Sequence, residues 1–301
     1  MSSPVGVKLV RIGPGLGPRK HIWTKVQKRL EHDHHIFEYK EEKEYVDILA
    51  AGSGWASLIP EEWRDIYGAL YAESKHFVLS EQENSKIEKD VHRTFSLFTR
   101  NARKLRLQFR TDMEEYNFAL YSVLVAASHE RGYCQGINFL AAVFLLSEAD
   151  DTEAYTILSY LLKHRYTNIL FDPRCSSLLE YMNYFERLLR VHNRAIYNHF
   201  KNVGFTTICF AIEWFTTCFI VSCPGELSAC VIDLILVGCE DIMLRIGLAI
   251  LDCMESELLQ LSNEELQLTF KAKTAQLDPY KVMHHALTIP VYKRQNVLKV
   301  H

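Results

Sequence analysis

From about residue 60 onward, apolar positions along this chain recur at helical spacing. In DMEEYNFALYSVLVAASHE (112–130), Tyr116, Ala119, Leu120, Val123, Leu124 and Ala127 recur with each residue having a neighbour three or four positions away. One face of a helix is therefore apolar, and the acidic residues Asp112, Glu114 and Glu115 sit at the end its dipole favours. Similar patterns run through TEAYTILSYLLKHRY, CSSLLEYMNYFERLLRVHNRAIYNHF and SNEELQLTFKAKTAQL. Asp-Asp-Thr at 150–152, Asp172-Pro173, Pro224-Gly225 and Ser262-Asn263 punctuate them as caps and turns. No stretch carries the period-two alternation of several strands. The pattern predicts an all-α fold, one large domain of ten or more helices with short loops over residues 58–290. Residues 1–57 read as a Gly/Pro-rich flexible leader with a flanking helical segment around Trp23, and 291–301 as a tail.

One apolar run is long enough to cross a bilayer, VGFTTICFAIEWFTTCFIVSC (203–223). It carries Glu213 near its middle and four threonines, and the apolar segments that follow, ACVIDLILVG and LRIGLAILDCM, each hold an Asp. Carboxylates at those depths are costly in lipid, so the three are read as buried helices of a protein core. Composition agrees: 48% of the 301 residues are hydrophobic and 24% charged, the balance of a globular chain. Eight cysteines lie scattered without a C-x-x-C pair and read as buried free thiols of a reducing compartment. A net charge of −3 gives no global reason to expect a nucleic-acid partner.

Two short stretches carry candidate chemistry. In IEKDVHRTF (87–95), Ile87, Asp90 and Arg93 share a broad helix face, with Asp90 one turn before Arg93. The surrounding residues 86–110 hold eight Lys/Arg against two acids. Composition leaves open whether this is a solvated face or a surface for RNA, anionic lipid or a phosphate-bearing partner. In GYCQGINF (132–139), Gly132 reads as a helix stop and Gly136 as the first turn of the next helix, open to close approach. Gln135 then faces outward at a helix N-terminus, where its neutral amide can orient a water but not act as a strong base. Neither HDHH (32–35) nor His284-His285 comes with a ligand-spaced frame, so no metal site is expected. No phosphate-binding loop or dinucleotide fingerprint is present, which argues against nucleotide binding by this chain itself.

Taken together, I-x-x-D-x-x-R-T-F and, about forty residues later, G-Y-C-Q-G-I-N-F-L-A resemble the TBC-domain family of Rab GTPase-activating proteins. LIPEEWRDIYGAL, with Ile59, Pro60 and Arg64, is similar to the family's earlier motif, and EWFTTCFIVSCP and IDLILVGCEDIMLRIGLAIL to its later ones. The resemblance runs from about 58 to 270. It implies a Rab-type small GTPase in its GTP state as partner, met by Arg93 as an arginine finger and Gln135 as a glutamine finger. It also implies that Asp90 holds Arg93, that Tyr133 and Gly136 shape the loop presenting Gln135, and that Asn138 ties that turn. GTP and Mg²⁺ would be carried by the partner, with no cofactor of the chain's own. A cytoplasmic protein, recruited to endomembranes through its partner, is the matching expectation. Leu58, Gly68, Ser96 and Ile232 depart from the family pattern at scaffold positions. The alternative is a non-catalytic helical adaptor of the same fold; a third reading is a membrane-surface or RNA-binding protein using 86–110.

Overall fold

The computed structural model describes residues 20–32, 40–52, 54–105, 113–129, 131–147, 150–165, 170–171 and 176–290. The residues read as leader and tail, and the side chains of 95–110, lie outside that set. The helices are α1 (Lys20–His32), α2 (Lys40–Ala50), α3 (Glu61–Glu73), α4 (Glu81–Leu105), α5 (Met113–Ser128), α6 (Ile137–Ser147) and α7 (Asp151–His164). They continue with α8 (Ser176–His192), α9 (Arg194–Val203), α10 (Ile208–Thr216), α11 (Gly225–Val237), α12 (Ile242–Leu258), α13 (Asn263–Thr274) and α14 (Pro279–Thr288). Among the described residues there is no strand, so the all-α class read from the periodicity is the class observed. Two compact units emerge, residues 54–171 and residues 20–52 with 176–290.

The first unit is built around α6. Nine of its residues, from Ile137 to Leu146, are buried, as expected of a helix apolar on every side. It packs against α4, α5 and α7, while α3 packs along α7. Trp55, 1% exposed, meets Phe144 of α6 edge-on at a centroid distance of 5.3 Å. Asp150 caps α7 by accepting from the Glu153 N–H at 2.8 Å, which supports the cap read from sequence.

In the second unit, α12 runs among α8, α9, α10, α11 and α14. The N-terminal segment is part of this unit: α1 and α2 pair with each other, α1 lies against α14, and α2 against α11. Ile22, Trp23, Val26 and Leu30 form the buried stripe of α1, and Val46 and Leu49 that of α2. Trp23 donates its indole N–H to Asp233 Oδ2 at 2.7 Å, with both residues buried. Trp23→Phe keeps most of the ring but withdraws that donor from a buried carboxylate. It is expected to lower unfolding free energy in urea by about 1.5–3 kcal/mol.

The membrane-length run 203–223 is broken up. Gly204 ends α9 with φ 70°, and α10 spans nine residues. Cys218 and Phe219 then adopt φ 45° and 64°, a left-handed turn closed by the Phe219 N–H bonding Trp214 O at 2.8 Å. Glu213 accepts from Ser222 Oγ at 2.5 Å and pairs with Lys271 at 3.0 Å. Among the described residues, no helix is long and apolar enough to cross a membrane. The cysteine expectation needs correction at two positions: Cys209 and Cys253 are exposed, whereas 134, 218, 223, 230 and 239 are buried free thiols. Apolar neighbours in sequence did not separate the outward positions of α10 and α12 from the inward ones.

His285 serves as a brace. His192 and His285 place Nε2 at 2.7 and 2.8 Å from Asp252 Oδ2, and Asn193 Nδ2 donates to Oδ1 at 3.0 Å. This joins α8, α9, α12 and α14. Burial alone would raise the Asp252 pKa, but the bonds from His192, His285 and Asn193 outweigh it and hold the carboxyl far below the carboxylate range. A depressed folded pKa means stability that is present above the unfolded value of about 3.9 and lost as pH falls below it. Asp252→Asn is therefore expected to be less stable at pH 7 and to show a flatter loss of urea resistance on acidification. Urea midpoints across a pH series check this.

Candidate functional site

The α4 helix starts at Ser80, whose Oγ accepts from the Glu83 N–H at 3.3 Å. Ile87, Asp90, Val91 and Thr94 form its buried stripe, at 0%, 6%, 4% and 0% exposure. The Arg93 side chain stands at the rim, 49% exposed. The face shared by Ile87, Asp90 and Arg93 thus runs from core to surface, with Ile87 as its packing anchor.

Asp90 is a hub with each carboxylate oxygen engaged. Oδ1 meets Arg93 Nε at 2.7 Å, and Oδ2 accepts from the Tyr133 hydroxyl at 2.5 Å. Burial, then the hydrogen bond to Asp90, pushes the Tyr133 phenol far above the ordinary tyrosine value, so it remains a donor at physiological pH. Charge-assisted bonds of this kind are short and directional. They fix the guanidinium through its Nε on a side chain that is half exposed.

The loop carrying Gln135 is held from both ends. At its start Gly132 takes φ 79° and its N–H bonds Ser128 O at 2.8 Å, ending α5. Arg131 Nη1 donates to Leu162 O at the end of α7, and His129 stacks on Phe77 at 3.9 Å. At its end Gly136 takes φ 113°, a conformation that side-chain-bearing residues rarely adopt. The glycine is accounted for by its own backbone, where the sequence suggested room for close approach. Its N–H donates to Asn138 Oδ1 at 3.0 Å, and Asn138 Nδ2 donates to Thr94 Oγ1 at 2.6 Å. Between these anchors Cys134 is buried and Gln135 exposed, two residues before the start of α6.

The structure therefore ties the two stretches together through Tyr133–Asp90 and Asn138–Thr94, with Arg93 and Gln135 both exposed. Asp90, Tyr133, Gly136 and Asn138 were all singled out in the sequence; Thr94 was not. It stands beside Arg93 in the motif, but a threonine within a helix gives no sign of a long-range bond. Among the scaffold departures, Leu58 and Gly68 are partly buried and Ile232 fully buried, and none takes part in this network. Ser96 lies outside the described side chains. Of the described His, Cys, Asp and Glu residues, no group of three or more is arranged to hold a metal ion.

A family model described as the Rab-GTPase-TBC domain matches residues 22–259. The chain belongs to that family. This Rab-GTPase-TBC match begins inside α1, so it takes in the N-terminal pair as well as α4 and the loop that carries Gln135. The chain is 32% identical over 181 residues to the Rab GTPase-activating protein eat-17 of Caenorhabditis elegans, covering 59% of this chain and 19% of that one. It is 26% identical over 211 residues to the GTPase-activating protein GYP5 of Saccharomyces cerevisiae, covering 69% and 23%. The chain thus spans less than a third of the length of these relatives. Its fold is similar to that of the Chlamydomonas flagellar RabGAP TBC domain, with a TM-score of 0.58 at 17% identity, covering 91% of this chain and 80% of that one. The Ypt/Rab-GAP domain of Gyp1p matches with a TM-score of 0.59 at 16% identity, covering 87% and 97%.

Proposed function

We propose that this chain accelerates GTP hydrolysis by a Rab-type small GTPase in its GTP state, with Arg93 and Gln135 supplied in trans. The observation that carries the reading is the exposure of these two side chains on segments locked to each other through buried Asp90, Thr94 and Asn138 and half-buried Tyr133. Transfer of the γ-phosphoryl group to water spreads negative charge over the phosphate oxygens and needs an aligned nucleophile. A guanidinium fixed at its base by Asp90 supplies charge with little reorganisation, and a primary amide accepts from and donates to the attacking water and its surroundings. The chain brings no cofactor of its own to this step; GTP and Mg²⁺ come with the partner. Membrane association is peripheral, through that partner.

Single-turnover phosphate release from a panel of GTP-loaded Rab proteins tests the reading. Acceleration of at least one Rab well above its intrinsic rate is expected. Unchanged hydrolysis across the panel, with tight binding to a GTP-loaded Rab, would assign the chain to the adaptor class instead.

A further inference from the structure

The geometry points to Thr94 as a positioning residue that couples the two fingers: its buried hydroxyl joins the helix turn bearing Arg93 to the loop bearing Gln135. This inference rests on the reading of Arg93 and Gln135 as the catalytic pair. Thr94 Oγ1 donates to Asp90 O at 2.6 Å and accepts from Asn138 Nδ2 at 2.6 Å. Asn138 Oδ1 in turn accepts from the Gly136 N–H at 3.0 Å. Thr94 and Asn138 are both 0% exposed, so water cannot substitute for either partner.

The two fingers are served differently. Arg93 is held directly by Asp90, whose other oxygen is engaged by Tyr133. Gln135 is exposed, and the loop atom bonded next to it is the Gly136 N–H, which is fixed by Asn138 and, through Asn138, by Thr94. Gly136 has a φ of 113°, and a glycine visits many backbone conformations when its bonds are released. Loss of the Thr94 hydroxyl leaves the Asn138 amide without this acceptor and frees the turn after Gln135. The Asp90–Arg93 contact stays in place, so the damage falls on the water-orienting finger.

Thr94→Val removes the hydroxyl at nearly constant volume, and Thr94→Ser keeps it. On a Rab that the wild-type chain accelerates, Thr94→Val is expected to lower kcat by roughly 10- to 100-fold, with KM for the Rab changed by less than about twofold. Thr94→Ser should recover most of that loss. In a Gln135→Ala background, Thr94→Val should cost less than about twofold more, because the residue it positions is gone. Hydrogen exchange at the Gly136 amide should become about tenfold faster in Thr94→Val. Should that variant not fold, Thr94→Ala is read in the same way.

Wild-type kcat in Thr94→Val would overturn the proposal. So would a Thr94→Ser loss as deep as that of Thr94→Val, or an undiminished Thr94→Val penalty without Gln135, since each marks a packing role. If no Rab is accelerated by the wild-type chain, the functional reading fails by itself. Exchange at Gly136 then still decides the coupling: unchanged exchange in Thr94→Val overturns it.

Discussion

Replacing Arg93 with alanine is expected to reduce stimulated GTP hydrolysis by about 10³-fold or more, the range associated with arginine fingers, equivalent to roughly 4 kcal/mol of transition-state stabilisation. Arg93 is about half exposed, and Asp90 keeps its bond from Tyr133 when the arginine is removed. The fold should therefore survive and circular dichroism should stay close to wild type, while the buried Asp90 carboxylate, left with one donor fewer, lowers stability in urea by about 1–3 kcal/mol. Arg93→Lys is not expected to restore the rate. Lysine keeps the charge but lacks the Nε that Asp90 holds at 2.7 Å and the planar fork that matches phosphate oxygens. Phosphate release under single-turnover conditions measures both variants.

Gln135→Ala is expected to lower kcat by about 10²- to 10³-fold, the size of effect seen when one preorganised donor is removed from a transition state. Affinity for the GTP-bound partner should change little, because a group that orients water contributes mainly after binding. Gln135→Glu should not recover the activity. At neutral pH its carboxylate only accepts hydrogen bonds and adds negative charge beside the phosphate, while the amide both accepts and donates. The measurement separates kcat from KM by varying the partner's concentration. A rise in KM with unchanged kcat would make Gln135 a docking residue.

The parts of this site legible in the residues themselves carry local signals, whereas the roles of Asp90, Tyr133 and Asn138 came only as what the resemblance to the TBC-domain family implies. Asp90 and Arg93 are one helical turn apart, and Gly132, Gln135 and Gly136 stand where an amphipathic pattern stops and a uniformly apolar one begins. The helix spacing likewise carried the all-α class. The missing elements depend on long-range contacts. Tyr133 meets Asp90 across 43 residues and Asn138 meets Thr94 across 44, and periodicity encodes neither pairing. Thr94 was overlooked for that reason, although it lies next to Arg93. The grouping of residues 20–52 with the C-terminal helices was hidden in the same way, since Trp23 finds Asp233 across 210 positions. The break in the apolar run 203–223 had a different cause. Its turn uses Cys218 and Phe219 at positive φ, residue types that do not announce a left-handed turn, so no glycine or proline marked the place.

The central claim is that Arg93 and Gln135 enter a partner's nucleotide site together at the transition state. Binding of a Rab loaded with GDP and aluminium fluoride, which imitates the transferring phosphoryl group, tests it most directly when set beside binding of the same Rab with GDP alone. The expected result is stable association of the wild-type chain only when aluminium fluoride is present, lost in both Arg93→Ala and Gln135→Ala. Association independent of aluminium fluoride, or equal for the wild type and both variants, would contradict the claim.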